Sequence, residues 1–421
     1  MNTELTINSL YRLPWNLADN AINWLEPTSR CNIYCDGCYR ENRNDSHKSI
    51  EDISAELDVF QKFRKADSIS IAGGEPLIHP DILKIVRMIK ERGWKPTINS
   101  NGIIATEEMI LNLKDAGLFG FTFHIDSRQS RPEWEGKNEL ELCELRLELA
   151  ERVAKIGGLT VAFNATIYSE TTNQVPGMLE WAHQHINIVH AMVFILYRNA
   201  DLSEGFDYFV GGNKVDFSGI VYSKEEEVQN RKNLYAQDIV DIIRSQYPDY
   251  VPSAFLNGTE VPNSFKWLLA GRMGNKHEIF GWVGSRFMEL VQTVNHLLKG
   301  TYLAYSEPQW LRRGRLYFFI SPFDKGLAKV MKNYFKSFSH NIKAFFSRIY
   351  YQTVLIIQPA DVLPEGNVNM CDGCPDITVF NGKLVWSCRM EEQIEWGQNV
   401  RFVPNENNKN VTSINEIYKN I

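Results

Sequence analysis

Seven cysteines hold most of the chemical potential of this chain, and six of them fall in two tight groups. Cys31, Cys35 and Cys38 read C-x3-C-x2-C, and Cys371, Cys374 and Cys388 read C-x2-C-x13-C. Disulfide frameworks belong to small exported chains; this one has 421 residues and opens on no charged start, apolar run and small-residue cleavage site. Clustered thiols in such a chain point to metal. Three thiolates on one short loop suit three irons of a 4Fe–4S cluster and leave the fourth iron without a protein ligand. An open metal position is what a substrate or cofactor needs, as in catalytic rather than structural zinc. The competing reading is a zinc loop, which wants a fourth Cys or His, the nearest being His47. The second group stands on an expected hairpin, Ile377–Phe380 and Leu384–Trp386 around Gly382. It reads as an auxiliary cluster that binds substrate or relays electrons, against a zinc half-site. Cys143 borders the helical stripe Leu142, Leu145, Leu149 and Val153, and reads as a small buried hydrophobe.

These groups must be positioned by something. From residue 22 to 198 short β-rich runs alternate with helical patterns. The spacing predicts strands at Ile22–Leu25, Ser68–Ala72, Thr97–Ser100, Phe119–Ile125, Leu159–Ile167 and Val189–Tyr197, with helices such as Ile50–Lys65, Pro80–Arg92 and Glu107–Ala116 between them. Six βα repeats imply an α/β fold with a parallel sheet, right-handed crossovers and a full or partial barrel. Ligands in such sheets sit at the carboxyl ends of the strands. The first cysteine group falls there, as do Gly73-Gly74-Glu75-Pro76, Asn99-Ser100-Asn101-Gly102, His124 with Asp126, and Asn164 with Thr166. The expected division is a barrel over 1–198, a mostly helical insert over 199–362 with a charged helix near Lys224–Ser245, and a small cluster domain over 363–421.

C-x3-C-x2-C after a first strand, followed by Gly73-Gly74-Glu75-Pro76 after the second, resembles the radical S-adenosylmethionine (SAM) superfamily. The run Ser70–Leu77 followed by His79-Pro80-Asp81 is similar to its members with SPASM or Twitch extensions, and to the molybdopterin-precursor cyclase. The fold implied is a partial (β/α)6 barrel. The implied chemistry is chelation of SAM by the open iron, reductive cleavage to a 5′-deoxyadenosyl radical, and hydrogen abstraction from substrate. The resemblance places Glu75, with the backbone of Gly73, Gly74 and Pro76, at the SAM ammonium. It places Asn99, Ser100 and Asn101 near ribose or adenine, against the reading of a plain Asn-Gly turn. His124 stands where members usually carry a small polar residue, so it and Asp126 read either as SAM contacts or as a hydrogen-bonded core pair. Asn164 is a ribose or carboxylate contact, or else a satisfied buried amide. Gly37 replaces the aromatic residue that often precedes the third cysteine, leaving Tyr39 or backbone alone to hold adenine. The second cysteine group matches the cyclase's C-terminal motif and looks like a Twitch element, so a second 4Fe–4S cluster is implied. The cyclase's GTP is not carried over, because residues 199–360 do not resemble it.

The expected function is therefore a radical SAM enzyme with two clusters that attacks an unactivated C–H bond for coupling, crosslinking or rearrangement. A peptide-modifying maturase is the rival within the superfamily, and a zinc-binding interaction module the rival outside it. The expected partners are a small-molecule, lipid or peptide substrate and an electron donor such as flavodoxin or ferredoxin. Forty-five Lys and Arg against 51 Asp and Glu give −6, which argues against a nucleic-acid binder. No stretch of 18 apolar residues occurs, and the reading is cytoplasmic. One segment reverses the sign. Over 325–350, Leu327, Met331, Tyr334, Phe335, Phe338, Ile342, Phe345, Phe346 and Ile349 recur at helical spacing among Lys325, Lys329, Lys332, Lys336, Lys343 and Arg348. Arg312, Arg313 and Arg315 extend the charge upstream. A basic amphipathic helix reads as peripheral membrane contact, a wall for an anionic hydrophobic substrate, or a helix packing its stripe on the barrel.

Overall fold

The computed structural model describes residues 5–197, 205–221, 234–340 and 347–406, with the backbone alone for 338–340. Strands β1 Ile22–Thr28, β2 Ser68–Gly73, β3 Lys95–Ser100, β4 Gly120–His124, β5 Thr160–Ile167 and β6 Ala191–Leu196 pair in chain order, every neighbour parallel. Helices α1 Ile50–Phe63, α2 Ile82–Glu91, α3 Glu107–Asp115, α4 Cys143–Ile156 and α5 Val175–Gln184 lie between them. Ser49 and Thr106 cap α1 and α3 by accepting from Asp52 and Met109 amides. Outward side chains of the strands, Ile69, Ile71, Ile98, Phe121, Phe123, Phe163 and Phe194, form one buried core with the helical stripes Ile53/Leu57/Phe60 and Ile82/Ile85/Val86/Ile89. The alternate residues share the inner face. Register sets Asn99 level with Thr122, His124 with Asn164 and Val193, and Thr166 with Ile195. Cys143 lies buried in the helical core, as its stripe implies.

The sheet does not stop at β6. The middle segment, expected to be mostly helical, also supplies β7 Ala254–Asn257, β8 Phe265–Gly274, β9 Ile279–Trp282 and β10 Tyr350–Ile357. β10 pairs parallel with β6 and antiparallel with β8, β8 pairs with β7, and β7 takes Tyr11–Arg12 as its last neighbour. The physical reason is the open edge of β6, whose unpaired amides and carbonyls need a partner, and the β-branched run of β10 provides it. Its helices are α6 Ala236–Gln246, α7 Ser285–Lys299 and α8 Lys325–His340; the 224–233 part of the expected charged helix lies outside the described residues.

Beneath the N-terminal ends of the strands α7, α8 and the segment Gly314–Phe323 form a basal layer. His296 of α7 meets Asp19 just before β1 at 2.7 Å, and the Gly314 amide donates to Ile349 O just before β10 at 2.9 Å. Tyr305 enters the barrel from this side, its hydroxyl 3.3 Å from Ser70 Oγ and its carbonyl accepting from Lys95 Nζ at 2.8 Å. The stripe of α8 is partly core: Leu327 and Tyr334, with Val330, pack with Phe280, Val283 and Phe287, whereas Phe335 is half exposed. Ile342, Lys343, Phe345 and Phe346 lie outside the described residues, as does the side chain of Phe338.

The second cysteine group sits in the seam of the unclosed barrel, between β1 at one end of the sheet and β7 with Tyr11–Arg12 at the other. Cys371 bridges to Gly258, and the Asp372 amide donates to Asn257 O at 2.8 Å. On the opposite side Asn20 Nδ2 donates to Gly373 O at 3.1 Å. The hairpin β11 Ile377–Phe380 and β12 Lys383–Trp386 follows, packed along β1, then α9 Met390–Trp396. Arg401–Pro404 returns to pair with Phe206–Val210. Contacts thus cross both expected domain boundaries.

Candidate active site

The loop after β1 carries Cys31, Cys35 and Cys38 and is seated on the turn after β2. The amides of Gly74 and Glu75 donate to Thr28 O and Arg30 O at 2.9 and 2.8 Å. A Cβ at Gly74 would fall on the carbonyls of Ser29 and Arg30, and one at Gly73 on that of Thr28. These glycines therefore allow the turn to touch the cysteine loop; close approach is their purpose, as expected, but the partner is backbone. Glu75 is fully buried, and its carboxylate accepts from Ser100 Oγ at 2.9 Å and from the amides of Leu77 and Asn101 at 3.0 and 2.7 Å. It ties the ends of β2 and β3 together. Burial nonetheless holds its carboxyl above the ordinary range. Pro76 opens the buried 3-10 turn that follows.

Asn101 sends its amide to Asn32 Oδ1 at 2.6 Å and lies 3.8 Å from Cys31 Sγ, so it serves the cysteine loop. Its Oδ1 also accepts from Ile103 N, which makes the Asn-Gly segment a turn as well. Asn99 differs: its Nδ2 is buried on the inner face with no hydrogen-bond partner. Asn164 is half-buried on the same face. His124 Nε2 is 3.0 Å from Asp126 Oδ2 and 3.1 Å from Thr166 Oγ1. Burial opposes ionisation of Asp126, yet His124 and the Arg128 amide hold its carboxyl below the usual value. The His124 side chain is 35% exposed and faces the opening, while Asp126, 2% exposed, lies buried behind it. Tyr39 is partly buried. Its hydroxyl hydrogen-bonds Ser387, beside Glu26, and joins the first cysteine loop to the second group. The aromatic residue at Gly37 is instead Tyr197, from the end of β6: a Cβ at Gly37, where φ is +70°, would lie 2.6 Å from its ring.

The three thiols feel one another. Burial raises the Cys35 thiol, and the charges of Asp126, Cys38 and Cys31 add to it, while Arg131 opposes them. Burial also raises Cys31 and Cys38. A desolvated trio that repels its own deprotonation is what a positively charged metal centre relieves, since thiolate is the ligand form. Among the described residues no three His, Cys, Asp or Glu side chains close round a single-ion site. A cluster takes its ligands on separate irons, so the trio together with the orphaned Asn99 amide fits 4Fe–4S and SAM. The second trio behaves alike: Cys374 is raised first by its hydrogen bond with Cys371 and then by burial, and Cys388 by burial and then by Cys371.

Sequence reasoning missed several residues here. Arg131 is buried, bonds Gln129 Oε1 and His124 O at 2.6 and 2.8 Å, and lies within electrostatic reach of Cys35, Asp126 and Glu75. Arg40 pairs with Glu26 at 2.8 Å and Glu391 at 2.9 Å, and Arg43 pairs with Glu391 at 2.6 Å. Ser387 also donates to Glu26. A buried acidic residue inside β1, Glu26, is the local signal that pointed to this junction.

The model of the radical SAM superfamily matches residues 25–182. A tungsten-containing aldehyde ferredoxin oxidoreductase cofactor-modifying protein of Pyrococcus furiosus is 35% identical over 106 residues, 24% of this chain and 30% of that one. A probable GTP 3′,8-cyclase of Methanococcus maripaludis is 29% identical over 181 residues, 41% of this chain and 58% of that one. The chain thus spans less than two thirds of the length of either relative. Streptococcus suis SuiB, solved with S-adenosylmethionine, is 19% identical, with 56% of this chain and 48% of that one covered at a TM-score of 0.39.

Proposed function

From the premise that residues 25–182 are a radical SAM domain, we propose that the whole chain is a two-cluster enzyme that activates a C–H bond of an organic substrate held in the barrel. Cys31, Cys35 and Cys38 would hold the first 4Fe–4S cluster, and Cys371, Cys374 and Cys388 the second. Asn99, Asn164, His124 and the backbone of the Gly73–Pro76 turn would receive SAM. When bound, these groups supply one-electron cleavage of SAM and a carbon radical able to take hydrogen from an unactivated position. The protein's own part is placement. Glu75 fixes the β2 and β3 ends through three hydrogen bonds. Asp126 and Thr166 orient the His124 ring. Arg131 sets a positive charge beside Cys35. The position of the second trio in the barrel seam supports a substrate reached by both clusters. Opposite the polar β2–β5 face, Val193, Ile195, Leu355 and Ile357 share the inner register. That apolar wall supports a substrate with a hydrocarbon portion. An electron donor of the flavodoxin or ferredoxin class and a reducing, cytoplasmic setting belong to this reading.

The carrying observation is the desolvated, mutually repelling thiol trio seated on the Gly73–Glu75 turn. The test is anaerobic purification: about eight irons per chain are expected, with 5′-deoxyadenosine formed from SAM on reduction. Cys35→Ala should abolish cleavage. Cys374→Ala should retain cleavage, lose about half the iron and form no product. Cleavage that survives in Cys35→Ala overturns the assignment.

A further inference from the structure

We propose that the basal layer of the barrel docks on an anionic membrane, with lipid headgroup phosphates received by Arg312, Arg313, Arg315 and Arg348. A cavity of about 430 Å³ opens there, lined by those four arginines with Gly314, Leu316, Ser347 and Ile349, and by no carboxylate. Among the described residues Arg312, Arg313 and Arg348 have no acidic partner. Arg312 Nε is buried without a hydrogen-bond acceptor, an orphaned donor at the wall of the cavity. Guanidiniums gathered round one cavity repel one another, and among the described residues Arg312, Arg313 and Arg348 have no carboxylate beside them to offset it; a phosphate that accepts bidentate hydrogen bonds removes that repulsion. The solvent side of α8 adds exposed Lys325, Lys329, Lys332 and Lys336, of which Lys329 pairs with Asp249 at 2.8 Å. The layer is strongly positive on a chain of net charge −6.

Large apolar side chains stand out from the same layer. Phe319 is 81% exposed, Phe323 74%, Leu297 77% and Leu298 79%, with Trp310 and Leu316 half as much. On α7, Leu290, Val294, Leu297 and Leu298 recur at i, i+4, i+7 and i+8, so the helix shows solvent a second apolar stripe besides the one that buries Phe287 and Met288. Arg313 lies over the Trp310 ring at 5.8 Å. Cations that ring a phosphate-sized basin, with single aromatic and leucine side chains projecting beside them, match a headgroup layer over acyl chains. Of the α8 stripe, Leu327 and Tyr334 are core, while Phe335 is 50% exposed.

The basin lies at the start of β10, opposite the strand ends that carry the cysteine loop. A docked chain would hold its reaction mouth away from the bilayer and draw substrate from the aqueous side. The inference stands independently of the chemistry proposed above.

The experiment is co-sedimentation of the anaerobically purified full chain with phosphatidylcholine vesicles, with and without a phosphatidylglycerol fraction. Binding is expected only with phosphatidylglycerol, and should weaken as salt rises. Arg313→Glu with Arg348→Glu should weaken it at least about tenfold, as should Phe319→Ser with Phe323→Ser. An unchanged far-ultraviolet circular dichroism spectrum serves as the folding control. Equal binding to both vesicle types, no binding by the unaltered chain, or variants that bind like it would overturn the proposal. So would a dimer in solution that the Phe319/Phe323 change splits, which assigns the surface to a second copy of the chain.

Discussion

Gly37 shows how much can hang on one missing side chain. Its φ of +70° and the Tyr197 ring 2.6 Å from where a Cβ would stand leave no room for alanine. The backbone conformation alone costs alanine about 1–2 kcal/mol, and the ring must also move. Gly37→Ala is expected to lower iron bound at the first site, measured by iron content and visible absorbance. Adding Tyr197→Ala should restore part of it, because only the steric half of the problem is relieved. The two cysteine groups were legible in the sequence because the spacing of thiols within a loop is local information. Arg131 and Tyr197 were not, since each reaches the cysteine loop only through the curl of the sheet. Glu75 was legible as important, but not that its carboxylate accepts from Leu77, Ser100 and Asn101, which no motif announces.

At the scale of elements, the junction of the cysteine loop, β1 and α9 is held by charge. Arg40 and Glu391 are both buried, with Glu26 and Arg43 completing the set. Removing one partner strands a buried ion, which costs about 3–5 kcal/mol. Glu391→Ala should therefore lower the urea midpoint by a corresponding amount, and Glu391→Gln by less, since the amide still accepts from the Glu41 N–H. The six barrel strands and their helices were readable to within a few residues, because the period of two and the period of 3.6 alternate cleanly there. The strands β7–β10 were not. Their pairing is set by the open edge of β6 and by long-range register, and the helical stripe of 325–349 runs directly into β10 with no turn signal between.

On the scale of the whole molecule, the two ends of the barrel differ in chemistry, with the cysteine loop at one and the arginine-lined cavity at the other. His190, just before β6, is buried near Arg312, and burial with that charge lowers its pKa from 6.5 to about 4. The unfolded chain takes up this proton first as the pH falls. Stability is therefore whole above pH 6.5 and declines towards pH 4, by up to about 3 kcal/mol. His190→Asn should flatten that part of a denaturation-versus-pH curve; an unchanged slope would place the titration elsewhere. The overall charge of −6 hid the basic basal layer, because a sum over the chain carries no address. The packing of Gly314 against Ile349 and of Arg315 against Ser347 O brings Arg312–Arg315 beside Arg348.

The junction through Glu26 also sets a timetable for biosynthesis. Arg40 and Tyr39 emerge from the ribosome early, but Ser387 and Glu391, which fix them, are among the later residues made. Tyr11–Arg12 likewise waits for β7 before it has a strand to join. The first cysteine loop is thus left unbraced for most of translation. Metal loading that depends on the brace waits until Ser387 and Glu391 have emerged, and removal of the segment from Cys371 onward is expected to weaken the first cysteine loop as well as remove the second group.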